Sequence, residues 1–145
     1  MVPVELLQRT DLAPGLSEAQ LATLASLGTS RTFQPGETIL ELEDSDYRLH
    51  VLLEGEVNVL GVMGDVVGAV RPGNLLGEIS FIDGKARSAK VVAAGEVHLA
   101  EFPSTLLDTL VTQDPHLEAL LLQNLARVLC RKLRTATREI DASLV

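Results

Sequence analysis

The chain has 145 residues, 46% of them hydrophobic, and a net charge of −8. That is enough apolar material for one packed core, and the acidic balance disfavours a protein that gathers phosphate backbones through its overall field. A lone cysteine, Cys130, excludes an intrachain disulfide, and the N-terminus has no signal-like pattern, so a reducing compartment is expected, by default the cytoplasm. The densest helical stretch, Leu117 to Leu133, is broken by Glu118, Asn124 and three basic residues. It falls short of the about 18 uninterrupted apolar residues of a membrane span, so no membrane insertion is expected.

Residues 1–30 read as a helical lead-in. After a turn at residues 11–16, Ser17 and Gln20 have the spacing of a capping box in front of Leu21, Leu24, Ala25 and Gly28 at helical intervals. From Arg31 the pattern changes to short β-rich runs: Thr32-Phe33, Thr38 to Leu40, Leu49 to Leu53, Glu56 to Leu60 and Asp65 to Val70, set off by Gln34-Pro35-Gly36, Glu54-Gly55 and Met63-Gly64. Two more strands, Ser88 to Ala93 and Val97 to Phe102, flank Ala94-Gly95. Strands this short and closely spaced make a sandwich or barrel over residues 31–102. The acidic loop Glu41 to Asp46 reads as a solvated face rather than a metal site.

Residues 103–145 read as helices, the first capped by Ser104, the second starting at Asp114-Pro115 and running to about Ile140. Along the second, Leu122, Leu125, Leu129, Leu133, Ala136 and Ile140 recur at three and four, one apolar stripe. Its upper part is expected to fold over a ligand pocket and its lower part to pair with the same helix of a second chain, making a homodimer. Residues 1–123 carry 7 basic and 18 acidic side chains, a balance of −11, and residues 124–145 carry 5 and 2, a balance of +3. Those basic residues complement a helix C-terminus and its dipole, so no nucleic-acid partner is expected.

The stretch Arg71 to Ala93 departs from ordinary core sequence. Pro72-Gly73 suits a type II turn and Asp83-Gly84 is a second break. Between them, residues 78–82 suffice for one helical turn whose first N–H groups lack partners in the chain. A carboxylate at Glu78, free N–H groups at Ile79 and Ser80, a guanidinium at Arg87, a hydroxyl at Ser88 and the Ala89 N–H together answer a ligand with one phosphate and a nearby sugar hydroxyl. No Ser-His-Asp or paired-carboxylate arrangement is visible, and His50, His98 and His116 are scattered. Neither an enzyme nor a metal or cofactor is implied.

The run Gly77-Glu78-Ile79-Ser80-Phe81-Ile82-Asp83-Gly84-Lys85-Ala86-Arg87-Ser88-Ala89 resembles the phosphate-binding cassette of cyclic-nucleotide-binding domains, the family of catabolite activator proteins, protein kinase A regulatory subunits and cyclic-nucleotide-gated channels. Pro35-Gly36-Glu37 and Leu52 to Val57 match two further places in that family. Ala86 stands where Pro often precedes the Arg, and Lys90 where Thr often follows Ser-Ala.

The resemblance implies a mainly-β fold: a double-stranded β-helix, or jelly-roll-like β-roll, with N-terminal helices and a long C-terminal helix. The whole of 1–145 would then be one cyclic-nucleotide-binding domain with its cassette at 73–91. By the same resemblance Gly77, Glu78, Ile79, Ser80, Arg87, Ser88 and Ala89 form the ligand site, Glu78 taking the ribose 2′-hydroxyl while Arg87, Ser88 and the helix N-terminus take the cyclic phosphate. Ser88 leans the choice of ligand to cAMP before cGMP. Val59 and Val67 are expected in the base pocket, and Leu129, Leu133 and Thr137 in a lid. The function implied is a cyclic-nucleotide sensor that moves its C-terminal helix against an unidentified effector. Two other classes compete. A ligand-free interaction module on the same fold would work through that helix, and a cupin-like enzyme would need a His-x-His cluster that the chain lacks.

Overall fold

The computed structural model describes residues 1–140, with side chains to Arg138. Helices α1 (Val4–Leu7) and α2 (Glu18–Leu27) precede strands β1 (Thr29–Phe33), β2 (Thr38–Leu40), β3 (Leu49–Glu54), β4 (Val57–Leu60), β5 (Val66–Val70) and β6 (Leu75–Leu76). Helix α3 (Glu78–Asp83) follows, then β7 (Lys90–Ala93), β8 (Val97–Phe102), α4 (Leu106–Gln113) and α5 (Pro115–Ile140). The expected helical segment thus extends beyond the described residues at 141–145, and the side chain of Ile140 lies outside them.

Local chemistry starts two of the helices where the residue types place them. In α2 the Ser17 Oγ accepts from the Gln20 N–H at 3.2 Å and the Ser17 N–H donates to Gln20 Oε1 at 2.9 Å, closing the capping box. In α5 Asp114 Oδ1 accepts from the Leu117 N–H at 3.1 Å, with Pro115 at the first helical position. The intervening helix differs: α4 begins behind Thr105, which makes no side-chain cap bond, so Ser104 does not cap it.

Eight antiparallel strands form two sheets, ordered β1-β8-β3-β6 and β2-β7-β4-β5. This is the jelly-roll-like β-roll with flanking helices. The central strand β3 is buried on both sides, which explains the unalternated run His50-Val51-Leu52-Leu53. Leu52 joins Phe33, Leu99 and Val91 between the sheets, whereas Leu49, Val51 and Leu53 pack outward under α2, α4 and α5. A one-residue slip of β3 would exchange those two sets.

Helix α5 docks through Leu117, Leu121, Leu125 and Val128, each almost fully buried. Each contributes on the order of 1.5–3 kcal/mol relative to exposure. The buried Asn124 lies within that face, its Nδ2 donating to the carbonyls of Leu12 at 3.0 Å and Pro14 at 2.9 Å. A residue that interrupts the apolar pattern is therefore the tie between α5 and the N-terminal turn. Asn124→Leu keeps the volume but leaves both carbonyls without that donor. It should cost about 1–3 kcal/mol and lower the melting temperature by several degrees; an unchanged melting curve would show the tie to be dispensable.

Candidate functional site

The site is built where β6 runs into α3. Pro72-Gly73 makes the expected type II turn: Gly73 has φ +97° and the Asn74 N–H returns to the Arg71 carbonyl at 3.1 Å. After the two residues of β6, Gly77 turns the chain with φ +74° into α3. Any side chain at Gly77 would be strained there, and its Cβ would strike the Arg87 guanidinium. The glycine is thus required twice, by the backbone and by the cation beside it.

Arg87 is only 2% exposed. Its Nη1 donates to the Gly77 carbonyl at 2.8 Å and its Nη2 to the Arg48 carbonyl at 2.6 Å. Nε is buried without a partner among the described residues. Burial pushes the guanidinium below its ordinary range while Asp46, 3.9 Å away, and Asp44 push it back up. It remains a cation with donors to spare. The acidic loop keeps the expected solvated face at Glu41, Glu43 and Asp44, which are exposed, while Asp46 turns inward. The loop backbone pairs with Arg87, the Arg87 N–H donating to the Asp44 carbonyl and the Glu43 N–H to the Arg87 carbonyl, both at 2.9 Å. Asp46 accepts from the Arg48 backbone N–H and guanidinium at 2.9–3.2 Å.

Glu78, the first residue of α3, is also 2% exposed. Its Oε1 pairs with Lys132 Nζ, which reaches down from α5. One residue before Lys132, Arg131 holds Asp11 Oδ2 at 2.7 Å, and Asp11 in turn is bonded to the Pro72-Gly73 turn, through the Gly73 carbonyl at 2.9 Å and Asn74 Nδ2 at 3.2 Å. Helix α5 is therefore tied by charge to Glu78 of the cassette and, through Asp11, to the turn at its start.

A cavity of about 230 Å³ opens over these groups. Gly77, Glu78, Ile79, Ser80, Arg87, Ser88 and Ala89, all seven residues expected at the ligand site, line it together. Val59 lines it too, alongside other apolar side chains of both sheets such as Val70, Leu75 and Val91. Val67 does not. Residue 68, not 67, pairs with Val59, so Val67 points to the opposite face of β5, where it is 61% exposed. Leu129, Leu133 and Thr137 are absent from the lining as well. Leu133 is 62% exposed, and the Thr137 hydroxyl donates to the Leu133 carbonyl of its own helix.

What α5 contributes instead is Lys132, a charged position that apolar periodicity does not reveal. Continuing the docked positions Leu121, Leu125 and Val128 at the same four-three spacing arrives at 132. None of the histidines reaches the cavity lining. His50 is buried against Glu101 Oε2 at 3.1 Å, His98 bonds Thr32 and Glu96, and His116 bonds Gln20. No group of three or more metal-ligating side chains and no membrane-spanning helix occurs among the described residues.

A β-roll whose cassette brings a buried guanidinium, a buried carboxylate and a helix start to one small cavity defines a ligand-binding domain for a compact anion bearing hydroxyls. The family model described as cyclic nucleotide-binding domain matches residues 30–114, and the chain belongs to that family. A cyclic nucleotide-binding domain from Methylobacillus flagellatus superposes with a TM-score of 0.84 at 27% identity, over 94% of this chain and 79% of that one. The cyclic AMP receptor protein of Thermus thermophilus is 31% identical over 132 residues, which are 88% of this chain and 59% of that protein. Glutaminase 1 of Bradyrhizobium diazoefficiens is 31% identical over 130 residues, 90% of this chain and 21% of that protein. The chain thus spans about a fifth to three-fifths of these two longer relatives.

Beside the cavity, Glu101 of β8 accepts from Arg48 at 2.7 Å, and from Arg31 and His50 at 3.1 Å each. The His50 bond, with help from both arginines, holds the Glu101 carboxyl down to about 2 from its usual 4.5. A depressed carboxyl contributes its stability above the unfolded value and loses it as pH falls toward the folded one. The contribution is complete above about pH 4.5 and disappears toward pH 2. Both arginines are partly exposed, so screening limits it to about 1–3 kcal/mol. Glu101→Gln should lower stability at neutral pH by that order and flatten the pH dependence of unfolding between 4.5 and 2; denaturant titrations of equal slope in parent and variant across that window would refute the assignment.

Proposed function

We propose that the chain binds a purine 3′,5′-cyclic mononucleotide and signals its presence by moving α5. The observation that carries this reading is the buried Arg87, its guanidinium fixed by two carbonyls and still holding unspent donors at the wall of a cavity that Glu78 also lines. Arg87, with Ser88 and the first N–H groups of α3, takes the cyclic phosphate. Glu78, which when ionised only accepts, takes the ribose 2′-hydroxyl. These contacts are common to cAMP and cGMP; the expected order, cAMP before cGMP, rests on Ser88.

Coupling to the helix follows from the Lys132 pair. A ribose hydroxyl arriving at Glu78 competes with the bond that holds α5 to the cassette, so bound and free states present different contacts to the helix. The reading is of a sensor without catalytic chemistry, acting in the cytoplasm on an effector still to be identified. The match to a glutaminase transfers no activity, because it covers 21% of that protein.

Titration calorimetry with cAMP and cGMP tests the site. Arg87→Ala should lose on the order of 2–5 kcal/mol of affinity, with Arg87→Lys a second variant that keeps the charge but not the planar fork. If both bind as tightly as the parent, the phosphate has been placed wrongly. Cys130 is exposed on α5, so a fluorophore attached there should report ligand in the parent and lose that response in Arg87→Ala. A response independent of Arg87 would separate helix movement from phosphate capture.

The exposed face of α5 supports a homodimer. Leu122, Ala126, Leu129 and Leu133 follow one another at four-three-four spacing on the side away from the docked face, with Leu122 43% and Leu133 62% exposed. That is the seam of a two-stranded coiled coil. Leu122→Glu with Leu133→Glu should convert a sedimenting dimer to monomer without lowering the melting temperature of the β-roll; a parent that already sediments as monomer at high concentration removes the dimer.

A further inference from the structure

We infer that Lys132 reads the base and makes the site prefer guanine, or any purine with a 6-keto group, over adenine. This rests on the cyclic-nucleotide reading above and reverses the order of bases expected from Ser88. Among the described residues, Lys132 is the α5 side chain that lines the 230 Å³ cavity, and it is the polar side chain there that does not belong to the cassette. The rest of the wall is apolar, including Leu40, Val59, Val70, Leu75 and Val91, surfaces that stack against either purine alike. With phosphate and ribose assigned to the cassette, the base is left to these side chains and to Lys132.

An ammonium has three donors and no acceptor. In the free protein one donor engages Glu78 Oε1; once the ribose hydroxyl takes that carboxylate, the ammonium is released from Glu78 and its donors are free to meet the base. Guanine presents O6 and N7, adjacent acceptors that lysine or arginine donors match. Adenine places an amino donor where guanine has O6, so donor would face donor. The polar side chains of Asn74 and Thr135 line a neighbouring cavity of about 310 Å³ instead. Val70, Leu75 and Lys132 line both cavities, and Lys132 is the α5 side chain common to them.

The test is calorimetry of the full chain with cGMP, cIMP and cAMP, cIMP carrying O6 and N7 without the 2-amino group. In the parent, cGMP and cIMP should both bind about tenfold more tightly than cAMP. Lys132→Met should bind all three with that preference removed. Lys132→Gln, whose amide both donates and accepts in the pattern that suits adenine N6 and N7, should turn the preference toward cAMP. Equal or tighter binding of cAMP by the parent, or a keto preference that survives Lys132→Met, overturns the inference while leaving cyclic-nucleotide binding intact. Failure of all three to bind a folded, nucleotide-free parent is a different result: it overturns the cyclic-nucleotide reading itself and this inference with it.

Discussion

The cassette depends on keeping one guanidinium charged inside protein. A buried ion is costly unless partners replace its water, and Arg87 is supplied with partners from two separate parts of the chain: the Gly77 carbonyl, and in the loop before β3 the Arg48 carbonyl and the Asp46 carboxylate at 3.9 Å. Each imposes a condition elsewhere. Gly77 must lack a side chain to admit the guanidinium. The loop before β3 must fold onto Arg87 rather than into water, and it does so through two backbone hydrogen bonds, at the expense of a left-handed Glu43 with φ +67°. A chain with net charge −8 thereby presents a fixed cation at its cavity, and selectivity for a compact phosphate is set by that local placement and not by the overall field.

Two kinds of force hold α5, and their magnitudes divide the helix. Up to Val128 it is docked by apolar side chains almost wholly withdrawn from water, each worth on the order of 1.5–3 kcal/mol. Beyond that point the cassette is reached through Arg131 and Lys132, side chains that are 56% and 46% exposed. The Arg131 pair with the partly exposed Asp11 contributes about 0–1 kcal/mol, and at Lys132 the buried Glu78 exchanges one partner for another when a ligand hydroxyl arrives. The helix is therefore firmly anchored in its first half and lightly tethered in its second. On the proposed mechanism a ligand need only outcompete a tether, which a charge-assisted ribose bond at Glu78 is strong enough to do, whereas displacing the docked half would cost several times more.

Much of this was legible in the residues because it was local. The capping box at Ser17 and Gln20, the turn at Pro72-Gly73 and the Asp114-Pro115 start of α5 are decided within four residues of chain, and the structure contains them all. The cassette residues were legible for the same reason, lying within one short run whose spacing brings Glu78 and Arg87 to one cavity. What was not legible depended on register or on distance. Val67 is one residue out of phase, since an exposed edge strand with valines on both faces carries no alternation to fix its register. The stripe assigned to α5 mixes two faces: Leu125 is docked, while Leu122 and Leu133 are exposed. Asp46 looked like solvent-facing charge because its partners, Arg48 and Arg87, are joined to it by folding rather than by a motif.

The misreading of α5 has a physical source that bears on the site itself. Apolar periodicity registers only side chains that avoid water, so the stripe runs through Leu122, Leu125, Leu129 and Leu133 and passes over position 132, where the helix meets a polar cavity. The groups that meet a ligand there have to be polar and are invisible to that criterion. Lys132 illustrates the point, continuing the docked spacing with a charge where the cavity begins. The size of the cavity gives the same position a second role. At about 230 Å³ it is smaller than the roughly 300–1,000 Å³ common for small-molecule sites, and this lysine lines both it and the neighbouring 310 Å³ space. A purine seated beside its ribose must contact that side chain or shift it, so base recognition and release of the helix tether converge on one residue.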